Sequence, residues 1–155
     1  MADKGIQLVA MDELVPLFKE QLSLGGKVSF TPRGNSMKPM LRHGVDSVEL
    51  SCVPDRIRKY DLPLYRRDNG KYVLHRVVGV GDSYTCIGDN QYFTEKGVQK
   101  SQMVAVVTAF TRNGREYSVD GIGYKLYCRL WHFSRFPRRV LRGILYRARR
   151  VLKRR

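Results

Sequence analysis

Ser36 is the residue of this chain best suited by type and setting to act as a nucleophile. It stands in Gly34-Asn35-Ser36-Met37-Lys38-Pro39, a turn-forming hexapeptide that leaves the apolar run at residues 28–31. A tight turn can present a hydroxyl with backbone N–H groups beside it, as a nucleophile with an oxyanion hole requires. Gly, Asn, Ser and Pro are also ordinary turn residues, so a plain surface turn is the competing reading. Serine attacks at neutral pH only when a base removes its proton. His75, in Tyr72-Val73-Leu74-His75-Arg76-Val77-Val78-Gly79, is such a base, with an ordinary pKa of about 6.5. A strand histidine satisfied by a neighbour is the alternative for it. Gly88-Asp89-Asn90 follows, where Asp89 suits the cap of a turn, and Glu95 comes after it.

Taken in order, the G-x-S-M-x-P loop, the L-H-R-V-V run and the G-D-N box resemble the type I signal peptidase superfamily. The best fit is its serine-histidine branch, typified by the endoplasmic-reticulum and archaeal signal peptidases. Bacterial signal peptidases and LexA-type self-cleaving proteins carry a lysine base where this chain has His75. The resemblance covers residues 28–110. It implies a serine endopeptidase in which Ser36 attacks, His75 is the base, and Asp89 or Glu95 orients the imidazole. Gly34, Met37 and Pro39 belong to the serine motif, and Gly88 and Asn90 frame Asp89. Arg76 is expected to clamp a carboxylate such as Asp89. The Ser36 N–H and a neighbouring loop group would form the oxyanion hole, each donor worth roughly 3 kcal/mol of barrier. An extended leader or precursor peptide would lie along a strand edge. No cofactor and no metal is implied. The chain departs from the family at Gly44-Val45-Asp46, where Asp46 is shifted by one residue, and at Tyr60, which replaces a glycine. Glu95 stands where relatives more often have aspartate. His43 reads as a polar loop histidine.

The elements that must position these residues are mostly short strands. Residues 12–22 read as a helix, with Leu14, Leu17, Phe18 and Leu22 at helical spacing, Asp12 at its start and Gly25-Gly26 at its end. Pro16 is tolerable there only in the first turn. Strands are expected around residues 28–31, 45–50, 57–66, 72–80, 84–87, 103–111 and 116–119, with turns at Asn69-Gly70 and Asn113-Gly114. Pro63 predicts an edge strand or a bulge. The fold class is mainly β: a signal-peptidase/LexA-like coiled sheet (residues 27–120) between an N-terminal leader and helix (1–26) and a basic amphipathic C-terminal helix (121–155).

Charge is concentrated at the C-terminal side. The net charge is +15, and residues 125–155 hold 12 basic side chains and no acidic one, leaving 17 basic against 14 acidic before them. Beyond Pro137, residues 140, 141, 144, 145, 148, 151 and 152 are apolar and form one stripe on a helix whose other face is arginine. With the aromatic residues before it, this reads as an anchor for an anionic membrane surface. Nucleic acid ranks below that, and an acidic partner or packing on the domain are further alternatives. Three widely spaced cysteines, Cys52, Cys86 and Cys128, read as reduced thiols in a cytosol. No signal peptide and no apolar run long enough to span a bilayer is expected, whereas signal peptidases carry a transmembrane anchor. The expectation is therefore a cytoplasmic peptidase, peripheral at a membrane surface, that cleaves a leader or precursor peptide. Two other readings are a catalytically inactive peptidase-like binding module and, ranked last, a nucleic-acid-binding regulator.

Overall fold

A computed structural model of the chain describes residues 10–152. The short lead-in expected at residues 6–9 lies outside them. Helix α1, Met11–Ser23, buries Val15, Phe18 and Leu22, whereas Leu17 is 61% exposed. The expected stripe thus runs through Val15 instead of Leu17, because spacings of three and four from Val15 keep one face on the core. Pro16 falls in the second turn, not the first; its missing N–H costs one ladder bond at an exposed position. The helix ends as expected at Gly25, whose φ of 78° suits a residue without Cβ. Gly25 N–H donates to Leu22 O at 3.0 Å and Gly26 N–H to Gln21 O at 3.1 Å, which closes the end in a Schellman motif.

Two antiparallel sheets follow. The larger is ordered β1 (Val28–Phe30), β2 (Ser47–Ser51), β8 (Met103–Arg112), β3 (Pro63–Arg66), β4 (Tyr72–Leu74), with β9 (Arg115–Ser118) also on β8. The smaller contains β5 (Arg76–Val80), β6 (Tyr84–Ile87) and β7 (Glu95–Val98). The strand expected over residues 72–80 is two strands, and the chain changes sheet at His75. After Leu74 the backbone finds new partners: Val77 N–H donates to Asp61 O at 2.9 Å, and Val77 O accepts Tyr60 N–H at 2.7 Å. Tyr60, at the position where a glycine was expected, adopts φ 79°, a conformation costing a bulky residue about 1–2 kcal/mol. β3 is interior to its sheet, and Pro63 is its first residue. The register shift between Leu64 and Tyr65 is the bulge that Pro63 predicted.

One core joins α1 to the larger sheet through Phe18, Leu22, Leu50 and Leu64, and takes in Met37 and Met40 from the serine loop. A second, around Ile57, Tyr65, Val77 and Cys86, lies where the two sheets meet. The C-terminal segment is two helices, α2 (Ile122–Phe133) and α3 (Arg135–Leu152). Their junction is Ser134, not Pro137, which sits in the first turn of α3 where no helical N–H is required of it. Among the described residues no helix is long and apolar enough to cross a membrane. Cys86 and Cys128 are buried free thiols and Cys52 is exposed.

Candidate active site

His75 is the single residue between β4 and β5, so its backbone is held by both sheets, and its side chain is 1% exposed. Its Nδ1 lies 2.9 Å from Glu95 Oε1. The Tyr65 hydroxyl donates to Glu95 Oε2 at 2.9 Å and stands 3.4 Å from Nδ1. Arg67 grips the same carboxylate, Nε donating to Oε2 at 2.8 Å and a terminal nitrogen to Oε1. Burial pushes the Glu95 pKa up, but hydrogen bonds from Arg67 and Tyr65 and the nearby imidazole outweigh it, leaving Glu95 below its ordinary value. It is an anion at neutral pH. Burial lowers the His75 pKa below 6.5, against the upward pull of Glu95. A carboxylate at Nδ1 fixes the proton there and leaves Nε2 as the basic nitrogen. Among the described residues Nε2 has no hydrogen-bond partner.

The serine loop is built from the other side. Met37 and Met40 are buried in the core, which fixes the turn around Ser36. Gly34 N–H donates to His43 Nδ1 at 2.7 Å, so His43 braces the loop as a polar residue. Asp46 is buried as the turn acid, accepting Arg42 N–H at 2.8 Å and the Arg42 guanidinium. The G-D-N box meets the loop directly. Asn90 N–H donates to Ser36 O at 2.7 Å, and Asn90 Nδ2 to Asn35 O at 3.2 Å. Gly88 is the contact point: a Cβ there would stand 2.7 Å from Ser36 O and 3.0 Å from Ser36 Cβ. Gly88 follows Ile87, which pairs with Arg76 next to His75. The serine loop and the histidine thus approach each other across the end of the β5–β6 ladder. Among the described residues Ser36 Oγ makes no hydrogen bond, to His75 or to any other side chain. The Ser36 and Met37 N–H groups likewise donate to no protein acceptor there.

Gly88→Ala is expected to push the serine loop away at a cost of about 1–3 kcal/mol, the usual range for overpacking. Hydrogen exchange at the Asn90 amide should then speed up roughly ten- to a hundredfold, with β2 and β8 amides unchanged. Unaltered Asn90 exchange would show that the loop is not seated on Gly88.

Asp89 does not touch His75. Its carboxylate takes two parallel bonds from Arg76, at 2.8 Å each, and a third from the Tyr127 hydroxyl at 2.9 Å. Trp131 Nε1 donates to the Asp89 carbonyl at 2.8 Å. Arg76, 2% exposed, also donates to Tyr124 Oη at 2.7 Å and Cys128 Sγ at 2.8 Å. Burial alone would lower its pKa, but Asp89 raises it well above the ordinary value, so the guanidinium stays charged. Of the two candidate acids, Glu95 contacts the imidazole and Asp89 anchors α2. Tyr124, Tyr127 and Trp131, counted in sequence with the membrane-facing tail, turn inward to this pair instead.

A cavity of about 480 Å³ opens beside Ser36. Its walls come from Met11 and Leu14 of α1, from residues 30–34 and from Tyr72–Leu74. These include two edge strands of the larger sheet, β1 with its continuation and β4, so the sheet coils until these two edges face one cleft. Sequence reasoning did not find Tyr65, Arg67, Tyr127 and Trp131. In sequence Tyr124, Tyr127 and Trp131 read only as aromatic residues ahead of the amphipathic helix, which says nothing of the side they take. Among the described residues no His, Cys, Asp and Glu cluster could hold a metal ion. Compared with known proteins, the chain matches no family model and no curated protein.

Proposed function

We propose that this chain is a serine endopeptidase with a signal-peptidase-like fold, cleaving an extended leader or precursor peptide. The observation that carries the reading is the Glu95–His75 contact at Nδ1, which leaves Nε2 as the basic nitrogen of an imidazole whose neighbouring strands reach the serine loop through Gly88. In this reading Nε2 takes the Ser36 proton as Oγ attacks the scissile carbonyl. The oxyanion is received by the undonated N–H of Ser36 and a neighbouring loop N–H. The imidazolium, held by anionic Glu95, returns the proton to the leaving amine, and water then releases the acyl group by the same steps reversed. Asp89 has a positioning role here: it holds Arg76 next to the base and, through Gly88 and Asn90, the loop that carries the nucleophile. The substrate enters the cleft as a strand, bonding to the free edges of β1 and β4.

The lack of a hydrogen bond between Ser36 Oγ and His75 favours a second reading, a module that holds an extended peptide without cutting it. Catalytic hydrogen bonds often tighten only when substrate binds, so labelling decides between the two. A serine-reactive fluorophosphonate is expected to modify Ser36 covalently, and the rate should follow one acid limb. His75 acts as base only when neutral, and its pKa lies below 6.5. Labelling should therefore already exceed half of its maximum at pH 6.5 and fall to half only at a lower pH. A midpoint above 6.5, or labelling that ignores His75→Ala, removes His75 from the mechanism. No labelling of Ser36 at all favours the binding module.

A further inference from the structure

The outer face of the two C-terminal helices is a second feature, independent of the site. Ser134 N–H donates to Leu130 O at 2.9 Å and Arg138 N–H to Ser134 O at 3.0 Å. Ser134 thus gives the last i to i−4 bond of α2 and accepts the first of α3, so the two helices abut directly at it. Leu126, Leu130, Phe133, Phe136, Val140 and Ile144 follow one another at intervals of three or four and are 46–76% exposed. At 3.6 residues per turn they fall on a single stripe that crosses the junction. The opposite side of α2, with Tyr127, Cys128 and Trp131, is turned to the domain, so the stripe faces away from it. Arg129, Arg139 and Arg147 are exposed beside it, and residues 121–155 contain no acidic side chain.

The chemistry of this face selects its partner. A nucleic acid would use the arginines but leave six large apolar side chains in water. A second copy would cover the stripe only by bringing two strongly basic helices together, which like charge opposes. An anionic bilayer surface satisfies both features: acyl chains receive the stripe and headgroups the arginines.

We propose that the continuous outer face of α2 and α3 is a docking surface for an anionic lipid bilayer. It lies in the interface without crossing it, and it holds the peptidase-like domain against the membrane through the inner face of α2. The inference stands whether or not Ser36 is a nucleophile, because Ser36→Ala leaves this face intact. The test is co-sedimentation of the full chain with phosphatidylcholine vesicles, with and without about 30% phosphatidylglycerol. Binding to the anionic vesicles is expected to be at least about tenfold tighter and to weaken sharply in about 0.5 M salt. Val140→Asp with Ile144→Asp, both at exposed positions, should lower it about tenfold or more with an unchanged melting temperature. Equal affinity for neutral and anionic vesicles, or none for either, overturns the proposal. So does tighter binding to a single- or double-stranded oligonucleotide that the two aspartate substitutions leave untouched. Burial of the face in a stable dimer that sediments without vesicles also overturns it.

Discussion

Ser36→Ala is expected to lower kcat/KM for hydrolysis of a leader-peptide panel by about 10⁴- to 10⁶-fold, the range for removing an activated serine. The side chain is small, makes no hydrogen bond among the described residues, and lies in a loop fixed by Met37, Met40 and Asn90. The substitution therefore removes the proposed attacking oxygen and little else, and the melting temperature should stay unchanged. His75→Ala should come close to the same loss, because the two groups act as a unit and their effects do not add. The double variant should be no worse than the poorer single one. Cleavage that survives Ser36→Ala would end the nucleophile assignment, whatever the behaviour of His75.

Asp89→Ala should be the most destabilising single change near the site. Arg76 is 2% exposed and charged, and without Asp89 its charge is left with neutral partners, the Tyr60 carbonyl, the Tyr124 hydroxyl, Cys128 and Met40 Sδ. Breaking a buried pair from one side costs about 3–5 kcal/mol. For a chain of this size that is a fall of roughly 6–20 °C in melting temperature. Replacing both partners, Arg76→Met with Asp89→Leu, should recover much of the loss, since no charge is then stranded. A single variant that melts within about 2 °C of the parent would mean that α2 is not held through this pair.

Much of the local pattern was legible in the sequence. The serine turn, both Asn-Gly hairpins, the glycine end of α1 and the G-D-N box depend on neighbouring residues alone, and their residue types announce them. Tyr60 stands out in the sequence only as replacing a glycine of the resembled family, and its positive φ comes from the structure. Less was legible of what joins distant segments. Glu95 rather than Asp89 faces His75 because Tyr65 and Arg67 reach it from a strand 28–30 residues away. β7 holds one apolar residue in four, Val98, too few for an alternation to show. The aromatic residues of α2 were visible, but tyrosine and tryptophan suit a membrane interface and a polar core alike. Only the buried Arg76–Asp89 pair decides between them.

That pair also sets an order of events during synthesis. The segments that carry Ser36, His75 and Glu95 are complete by Val98, yet Asp89 receives its last partner from Trp131, 42 residues after it in the chain. At about 5–20 residues per second, ribosomes need roughly 2–8 s to make that interval. A nascent chain paused within it carries the serine loop, the histidine and the acid, with the buried ion pair open on its α2 side. The buried pair is thus closed only once α2 has been made, so a product stalled before it would carry the proposed nucleophile and base on an unfinished fold.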